Sequence, residues 1–305
     1  MKKHNSSMTS LGIDIGGTKI SVIIGHPKKG KIIAKEKFLL PIESPEKTIE
    51  RIQLTYEKLL KQCKITADEI DIVAIGCPGS CDYTSGRAIN FPNMPLWRGY
   101  DIKKAFQKFI KHKPIIFDND ANCAAMAEKY FGTGKKISDF LYITVSTGVG
   151  AGLIINNKLY RGISLDAAEF GHMTIVKNGE QCGCGKKGCL EAYASGTSLA
   201  RRAGVKDVPE LLQEIKKNNQ RAQLVFDEGI HALAIGIGNT LQLLNLEAVI
   251  IGGGVSTIGE SYFQKIRKAA KEYTWPRPYD HCTIMQTSLL DDVVDYGTMA
   301  LALSF

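Results

Sequence analysis

Two short runs between residues 169 and 191 gather one imidazole, three thiols and two carboxylates. They run Glu169-Phe-Gly-His172, then Cys182-Gly-Cys184-Gly-Lys-Lys-Gly-Cys189-Leu-Glu191. Thiolates with an imidazole nitrogen are the donor set that zinc favours, and four of them complete a tetrahedron. The intervening glycines allow the loop to fold tightly enough for three thiols to converge. Four protein donors leave no open position for water, so the ion would be structural. Disulfide pairing is the competing reading, although three thiols cannot pair evenly. Glu169 precedes His172 by three residues and Glu191 follows Cys189 by two. A metal-organised loop would therefore hold two carboxylates in place as well.

This arrangement resembles the ROK family of sugar kinases, whose signature runs Glu-x-Gly-His and then Cys-x-Cys-Gly-x-x-Gly-Cys-x-Glu; both halves are matched here. The resemblance implies that His172, Cys182, Cys184 and Cys189 bind Zn2+. It implies that Glu169, His172 and Glu191 hydrogen-bond sugar hydroxyls, with His172 serving metal and sugar together. It further implies two ribonuclease H-like α/β lobes of the actin and hexokinase type, with a cleft between them. The expected division is an N-terminal lobe over 1–118 and 292–305, and a C-terminal lobe over 119–291 that carries the zinc loop.

Other motifs follow in order. Leu11–Gly25 reads as strand, glycine turn, strand, centred on Asp14-Ile-Gly16-Gly17-Thr18-Lys19. Paired glycines between apolar strands let backbone N–H groups approach a phosphate with no Cβ in the way; an ordinary hairpin turn has the same pattern. Asp14 adds a carboxylate for hydrated Mg2+ and Thr18 a hydroxyl for phosphate. The run resembles the first phosphate motif of the sugar-kinase, heat-shock-chaperone and actin ATPases. It is not a P-loop, since Gly-x-x-x-x-Gly-Lys-Ser/Thr is absent. Pro114–Phe117 is a buried-strand pattern that runs straight into Asp118-Asn119-Asp120 and then an Ala-rich helix through Phe131. Such junctions put polar side chains at the carboxyl end of a sheet, where α/β proteins bind ligands. Capping the helix is the plainer role. Asn-Asp-Ala-Asn resembles a family hallmark, which implies Asp120 as catalytic base and Asn119 as a sugar ligand.

A second turn, Ser146-Thr147-Gly148-Val149-Gly150, lies between the apolar runs 140–145 and 152–155. Aligning Val22–Ile24 on Leu153–Ile155 puts Gly17 on Gly148, a weak internal repeat of the kind a duplicated fold leaves. The resemblance makes this the second phosphate motif, with Thr147 and Gly148 as contacts to ATP. Ala248–Ile251 is a strand ending in Gly252-Gly253-Gly254, where bare backbone could carry a flat base. It resembles the family's adenosine motif through Gly253 and Gly254, and otherwise reads as a helix-entry turn. The proline-punctuated loop 90–97 is similar to the segment bordering the family's sugar pocket and offers Asn93.

Helices must hold these turns. Ser44-Pro45-Glu46 is a start signal, followed by Ile49, Ile52, Tyr56, Leu59 and Leu60 at helical spacing. Asp101 caps a second amphipathic stretch with Ile102, Phe106, Phe109 and Ile110. Glu191–Ala203, Pro209–Ile215, Arg221–Leu244 and Asp292–Leu303 complete the set. By resemblance the last packs back on the first lobe.

A chain of 305 residues, 44% hydrophobic, can bury one large core or two adjacent ones. The formal charge of +8 is scattered, often as pairs such as Lys28-Lys29 and Lys216-Lys217. That describes a solvated lysine-rich surface rather than a nucleic-acid site. No apolar run reaches the length of a membrane span, and residues 1–10 lack a signal-peptide core. Five of the eight cysteines, at 63, 77, 81, 123 and 282, have no framework spacing, which fits a reducing cytoplasm. The expected partners are a small hexose and a second copy of the chain, with neither nucleic acid nor membrane.

Together the motifs imply ATP-dependent phosphorylation of a hexose 6-hydroxyl, with ATP, Mg2+ and Zn2+ as cofactors and glucose as the first candidate. Glu169 stands where some N-acetylmannosamine kinases of the family have His. N-acetylmannosamine, N-acetylglucosamine, fructose and mannose are the alternatives. Repressors of the family carry a winged helix-turn-helix, for which the leader before Asp14 is too short. A non-catalytic sugar sensor would lack the base or a phosphate turn, and both are intact.

Overall fold

A computed structural model describes residues 8–40, 44–91 and 94–305, so the candidate Asn93 lies outside the described residues. The strands are β1 (Ser10–Ile15), β2 (Lys19–His26), β3 (Lys31–Leu39), β4 (Ile72–Cys77), β5 (Ser80–Asp82), β6 (Arg87–Asn90), β7 (Ile115–Asn119), β8 (Phe140–Val145), β9 (Val149–Ile155), β10 (Lys158–Tyr160), β11 (Ala248–Gly252) and β12 (Thr283–Gln286). The α-helices are α1 (Pro45–Cys63), α2 (Ile102–Gln107), α3 (Asp120–Tyr130), α4 (Glu191–Ala194), α5 (Gly196–Ala203), α6 (Val208–Lys216), α7 (Gln220–Leu244), α8 (Glu260–Tyr273), α9 (Pro276–Asp280) and α10 (Val293–Leu303). They form two compact α/β units, 1–131 with 291–305 and 132–290.

The first unit is built on a mixed sheet in the order β3-β2-β1-β4-β7. β1 and β2 are an antiparallel hairpin, whereas β4 and β7 run parallel to β1. Period-two alternation divides its faces. Leu11, Ile13, Ile15, Ile20, Val22 and Ile24 share a core with Ile49, Ile52, Tyr56 and Leu59 of α1. Ser44 begins α1 as its spacing predicts, accepting the Lys47 N–H on its hydroxyl. The opposite face carries Gly12, Gly25 and Gly76, and α10 and α3 lie against it. A Cβ at Gly12 would stand 2.2 Å from Thr298 Oγ1, one at Gly25 2.5 Å from Met299 Sδ, and one at Gly76 3.7 Å from Cys123 Sγ. Gly297 brings α10 equally close to the backbone of Cys123 in α3. That packing sets α3 with the first unit, which runs through residue 131, and gives the Ala-rich helix its main partner in α10.

The second unit repeats the scheme in the order β10-β9-β8-β11-β12, again with two antiparallel and two parallel junctions. Asp14 pairs with Gly76 across β1 and β4, and Thr144 pairs with Gly252 across β8 and β11. The repeat suggested by the glycine turns is therefore a repeat of sheets. Its register differs from the sequence alignment: Asp14 matches Thr144 and Ser21 matches Gly150, whereas the alignment sets Val22 on Leu153. Leu141, Ile143, Val145, Val249 and Ile251 meet Val225, Leu233, Ile237 and Leu241 of α7, and Phe263 and Ile266 of α8. α8 and β12 fill the stretch 256–290 that no motif described. Two helices expected to be continuous are shorter. Glu191–Ala203 breaks at Ser195, whose hydroxyl caps α5 by accepting the Ser198 N–H (3.1 Å). α2 ends at Gln107, before Phe109 and Ile110.

The glycines of this face predict a specific failure. Gly12→Val should destabilise the first unit by about 1–3 kcal/mol or more through overpacking against Thr298 and Ile23. Urea unfolding checks this, with the midpoint falling for Gly12→Val.

Candidate active site and metal centre

In the first unit the candidate residues cluster at the carboxyl ends of the parallel strands. Asp14 lies near the end of β1, and Asn119 closes β7. Asn119 is the N-cap of α3: its Oδ1 accepts the Ala121 N–H at 2.9 Å. Asp120 is the first helical residue, and its Oδ1 accepts the same N–H at 2.7 Å. Buried Asp118 accepts the Asn119 N–H and the Asn122 amide, both at 2.8 Å, so its role is to fix this junction. Capping thus uses part of each of three polar residues.

The turn after β1 is closed by Gly16 N–H donating to Lys19 O (3.0 Å), and Thr18 O accepts from Leu40 N–H (2.9 Å). A Cβ at Gly16 would press on Lys19 O at 2.8 Å, whereas one at Gly17 would meet nothing within 4 Å. The protein's own packing requires the first glycine only; the second faces open space. Burial, reinforced by the charges of Asp120 and Asp295, pushes the Asp14 carboxyl up to about 8, with Lys37 pulling the other way. Gly76 leaves that carboxylate its place, since a Cβ there would stand 3.1 Å from Asp14 Oδ1. A crowded carboxylate beside other acids is suited to a divalent cation, which relieves the repulsion.

In the second unit His172, Cys182, Cys184 and Cys189 bring one donor atom each within 4.8 Å of one another. His172 Nδ1 stands 3.7 Å from Cys182 Sγ, and Cys184 Sγ stands 3.7 Å from Cys189 Sγ. Donors about 2.1–2.3 Å from a common zinc are separated by roughly 3.6–3.8 Å along the edges of a tetrahedron. The donors fit the ion. The sulfurs are free thiols, so the disulfide reading falls. Burial pushes the Cys182 thiol up to about 12, and a metal would have to displace that proton.

The loop is a small β knuckle. Bridges pair Thr174 with Cys189 and Gln181 with Lys187, and Cys182 accepts the Gly185 N–H at 3.0 Å. Gly188 has φ 78°, and a Cβ there would collide with Val176 O. Behind the knuckle, Tyr193 Oη accepts the Glu180 N–H at 2.8 Å, and the Arg202 guanidinium lies 4.8 Å over the Tyr193 ring and pairs with Glu228.

Both candidate carboxylates flank this centre. Glu169 Oε2 lies 3.9 Å from His172 Nε2, the ring nitrogen opposite the one nearest Cys182. Partial desolvation raises the Glu169 pKa against the pull of His172, with Asp166 and Glu191 adding to the rise. Ala168, just before it, has φ 67°, an uncommon conformation for a residue with a Cβ. Glu191 Oε1 lies 3.8 Å from Cys182 Sγ, and its Oε2 accepts the Val149 N–H at 2.8 Å. The space above Gly148 belongs to the same carboxylate: a Cβ there would stand 2.6 Å from Glu191 Oε2. The second glycine turn is therefore joined to the knuckle, a link that no motif spacing announced. Ser146 holds the turn from the other side, with N–H donating to Gly148 O (2.9 Å) and O accepting from Gly196 N–H (2.8 Å). Gly253, at φ 84° beside the Val145 backbone, and Gly254 follow the neighbouring strand β11. Cys184→Ser should lower the zinc content of the purified protein at least severalfold while the two sheets stay folded, checked by elemental analysis alongside circular dichroism.

The comparisons agree on kinship. The chain matches the family model described as ROK family over residues 10–304. A xylose repressor from Caldicellulosiruptor bescii is 32% identical over 313 residues, covering 96% of this chain and 78% of the repressor. A glucokinase from Thermotoga maritima is 30% identical over 311 residues, covering 95% of this chain and 96% of the glucokinase. Among solved structures, a ROK family glucokinase from Streptomyces griseus in complex with glucose and AMPPNP has a TM-score of 0.80 at 29% identity, covering 97% of this chain and 98% of that one. No described helix is long and apolar enough to cross a membrane. With a match along nearly its whole length and the knuckle in place, the chain belongs to the ROK family.

Proposed function

We propose that this ROK protein is an ATP-dependent sugar kinase that phosphorylates the 6-hydroxyl of a hexose, glucose first. The observation that carries the reading is Asp120, a carboxylate in the first turn of α3 at the carboxyl end of a sheet, close enough to Asp14 to raise its pKa. The likeness to a glucokinase that binds glucose and AMPPNP supports the substrate pair.

The proposed sugar ligands are Glu169, His172, Glu191, Asn119 and Asp120, with Asn93 in addition. His172 turns Nδ1 to the metal and Nε2 to the sugar, so coordination fixes the tautomer and orientation of the ring. Zinc held by His172, Cys182, Cys184 and Cys189 supplies a rigid structural centre. ATP is held by the turn of Gly16, Gly17, Thr18 and Lys19, by Thr147 and Gly148, and by Gly253 and Gly254. Asp14 anchors Mg2+, which when bound neutralises charge on the phosphates. Asp120 takes the proton as the sugar oxygen bonds to the γ-phosphorus and the bond to the β-phosphate oxygen breaks, leaving ADP. A positioned carboxylate is needed because an alcohol is a weak nucleophile at neutral pH.

A sugar-responsive binding protein is the second reading, carried by the similarity to the xylose repressor. It requires sugar binding without phosphoryl transfer. A coupled ADP-release assay over a panel of glucose, mannose, fructose, N-acetylmannosamine and N-acetylglucosamine tests both readings, and no turnover with any sugar removes the first.

Asp120→Asn keeps the shape and removes the basicity, so turnover should fall roughly 10²–10⁴-fold with sugar affinity nearly unchanged. Single-turnover kinetics and sugar titration check the two halves. Gly148→Ala should act on the sugar before ATP. Its Cβ meets the end of the flexible Glu191 side chain, so the fold tolerates the change while the carboxylate swings away from Val149. The expected result is a sugar KM raised at least severalfold with the ATP KM little altered. The reverse pattern would assign this face of Gly148 to phosphate.

A further inference from the structure

Asp14, Ser21 and Lys37 stand side by side on β1, β2 and β3. In-register neighbours share one face of a sheet, with adjacent strands about 4.8 Å apart. α10 covers that face and lays Asp295 over the row. Asp295 Oδ1 accepts from Ser21 Oγ at 2.5 Å, and Oδ2 meets Lys37 Nζ at 3.0 Å and Lys35 Nζ at 3.4 Å. Lys35 sits closer to Asp292, at 2.6 Å, which leaves Lys37 as the nearest counter-charge of Asp295. The Asp295 side chain is fully buried and that of Lys37 is 36% exposed. Beyond Asp14 the row continues through Gly76 to Asp118, which is engaged by Asn119 and Asn122.

A buried ion pair adds little net stability, because desolvation offsets most of the attraction. Its consequence is the field it sets nearby. We infer that Asp295 and Lys37 are positioning residues that tune, in opposite directions, how tightly the Asp14 end of β1 holds the divalent cation of a nucleotide; this rests on the reading of Asp14 as the anchor of that cation. Asp295 brings a negative charge to within one strand of Asp14. Lys37 offsets it from two strands away. At an effective dielectric near 20, charges at such range move the affinity for a doubly charged ion several-fold, and salt weakens the effect.

Mn2+ is the probe, titrated into the full chain with ADP and followed by its paramagnetic resonance. Wild type is compared with Lys37→Met, Lys37→Arg and Asp295→Asn. Lys37→Met should tighten Mn2+ roughly three- to tenfold, and Asp295→Asn should weaken it by a similar factor. Lys37→Arg, which keeps the charge, should stay near wild type. A pair that only braces α10 would move both charge-removing variants in the same direction, or neither, and either result overturns the inference. Should Asp295→Asn fail to fold, the two Lys37 variants decide alone: equal affinity for Mn2+ in Lys37→Met and Lys37→Arg sinks the proposal. Failure of wild type to bind Mn2+ with ADP overturns the kinase reading itself, and the tuning with it.

Discussion

The first unit depends on one constraint, the glycines that interrupt one face of its sheet. Where Gly12, Gly25 and Gly76 lack a Cβ, α10 and α3 come down onto the strands, and Gly297 lets the two helices meet. Large aliphatics on the other face supply the ordinary driving force, each fully buried one worth about 1.5–3 kcal/mol. The glycine positions of this face supply geometry instead. It gives the Asp14 carboxylate its space, sets where α3 begins, and so brings Asp120 within electrostatic range of Asp14. Burial, with that closeness added, makes the charge of Asp14 costly without a cation.

The second unit solves a different problem, placing polar side chains on a loop with little core of its own. Its answer is to share atoms. One carboxylate, Glu191, touches the hairpin through Val149 and the knuckle through Cys182. One imidazole faces a thiol with Nδ1 and a carboxylate with Nε2. Behind them Tyr193 and Arg202 stiffen the knuckle against α5. Rigid support of this kind is what a site on a loop requires before its side chains can select a ligand.

What could be read in the sequence was local. The spacing of His172, Cys182, Cys184 and Cys189 reports a coordination shell because a metal fixes the distances among residues so close in the chain. The Ser44 cap and the strand-to-helix junction at Asp118–Asp120 are written in adjacent residues for the same reason. The misses concern partners distant in the chain or directions in space. α3 is Ala-rich and buried along most of its length, which announces close packing but does not name α10 as the partner. The turn alignment misses the strand register by one residue on the first strand and two on the second, because apolar patterns report neither loop length nor register. The direction of Gly148 toward Glu191, and the union of Ser21 with Asp295 across 274 residues, leave no trace in periodicity.

The place of α10 in the chain has a consequence for synthesis. The chain up to residue 131 leaves the ribosome with the part of its sheet beneath α10 uncovered, and α10 follows the whole of 132–290. Domains tend to fold as units while the chain is still being made. The second unit, a continuous stretch, can reach its native state first. The first cannot be completed before α10 emerges, since Ser21 lacks its acceptor Asp295 until then. The order of completion is therefore the reverse of the order of translation.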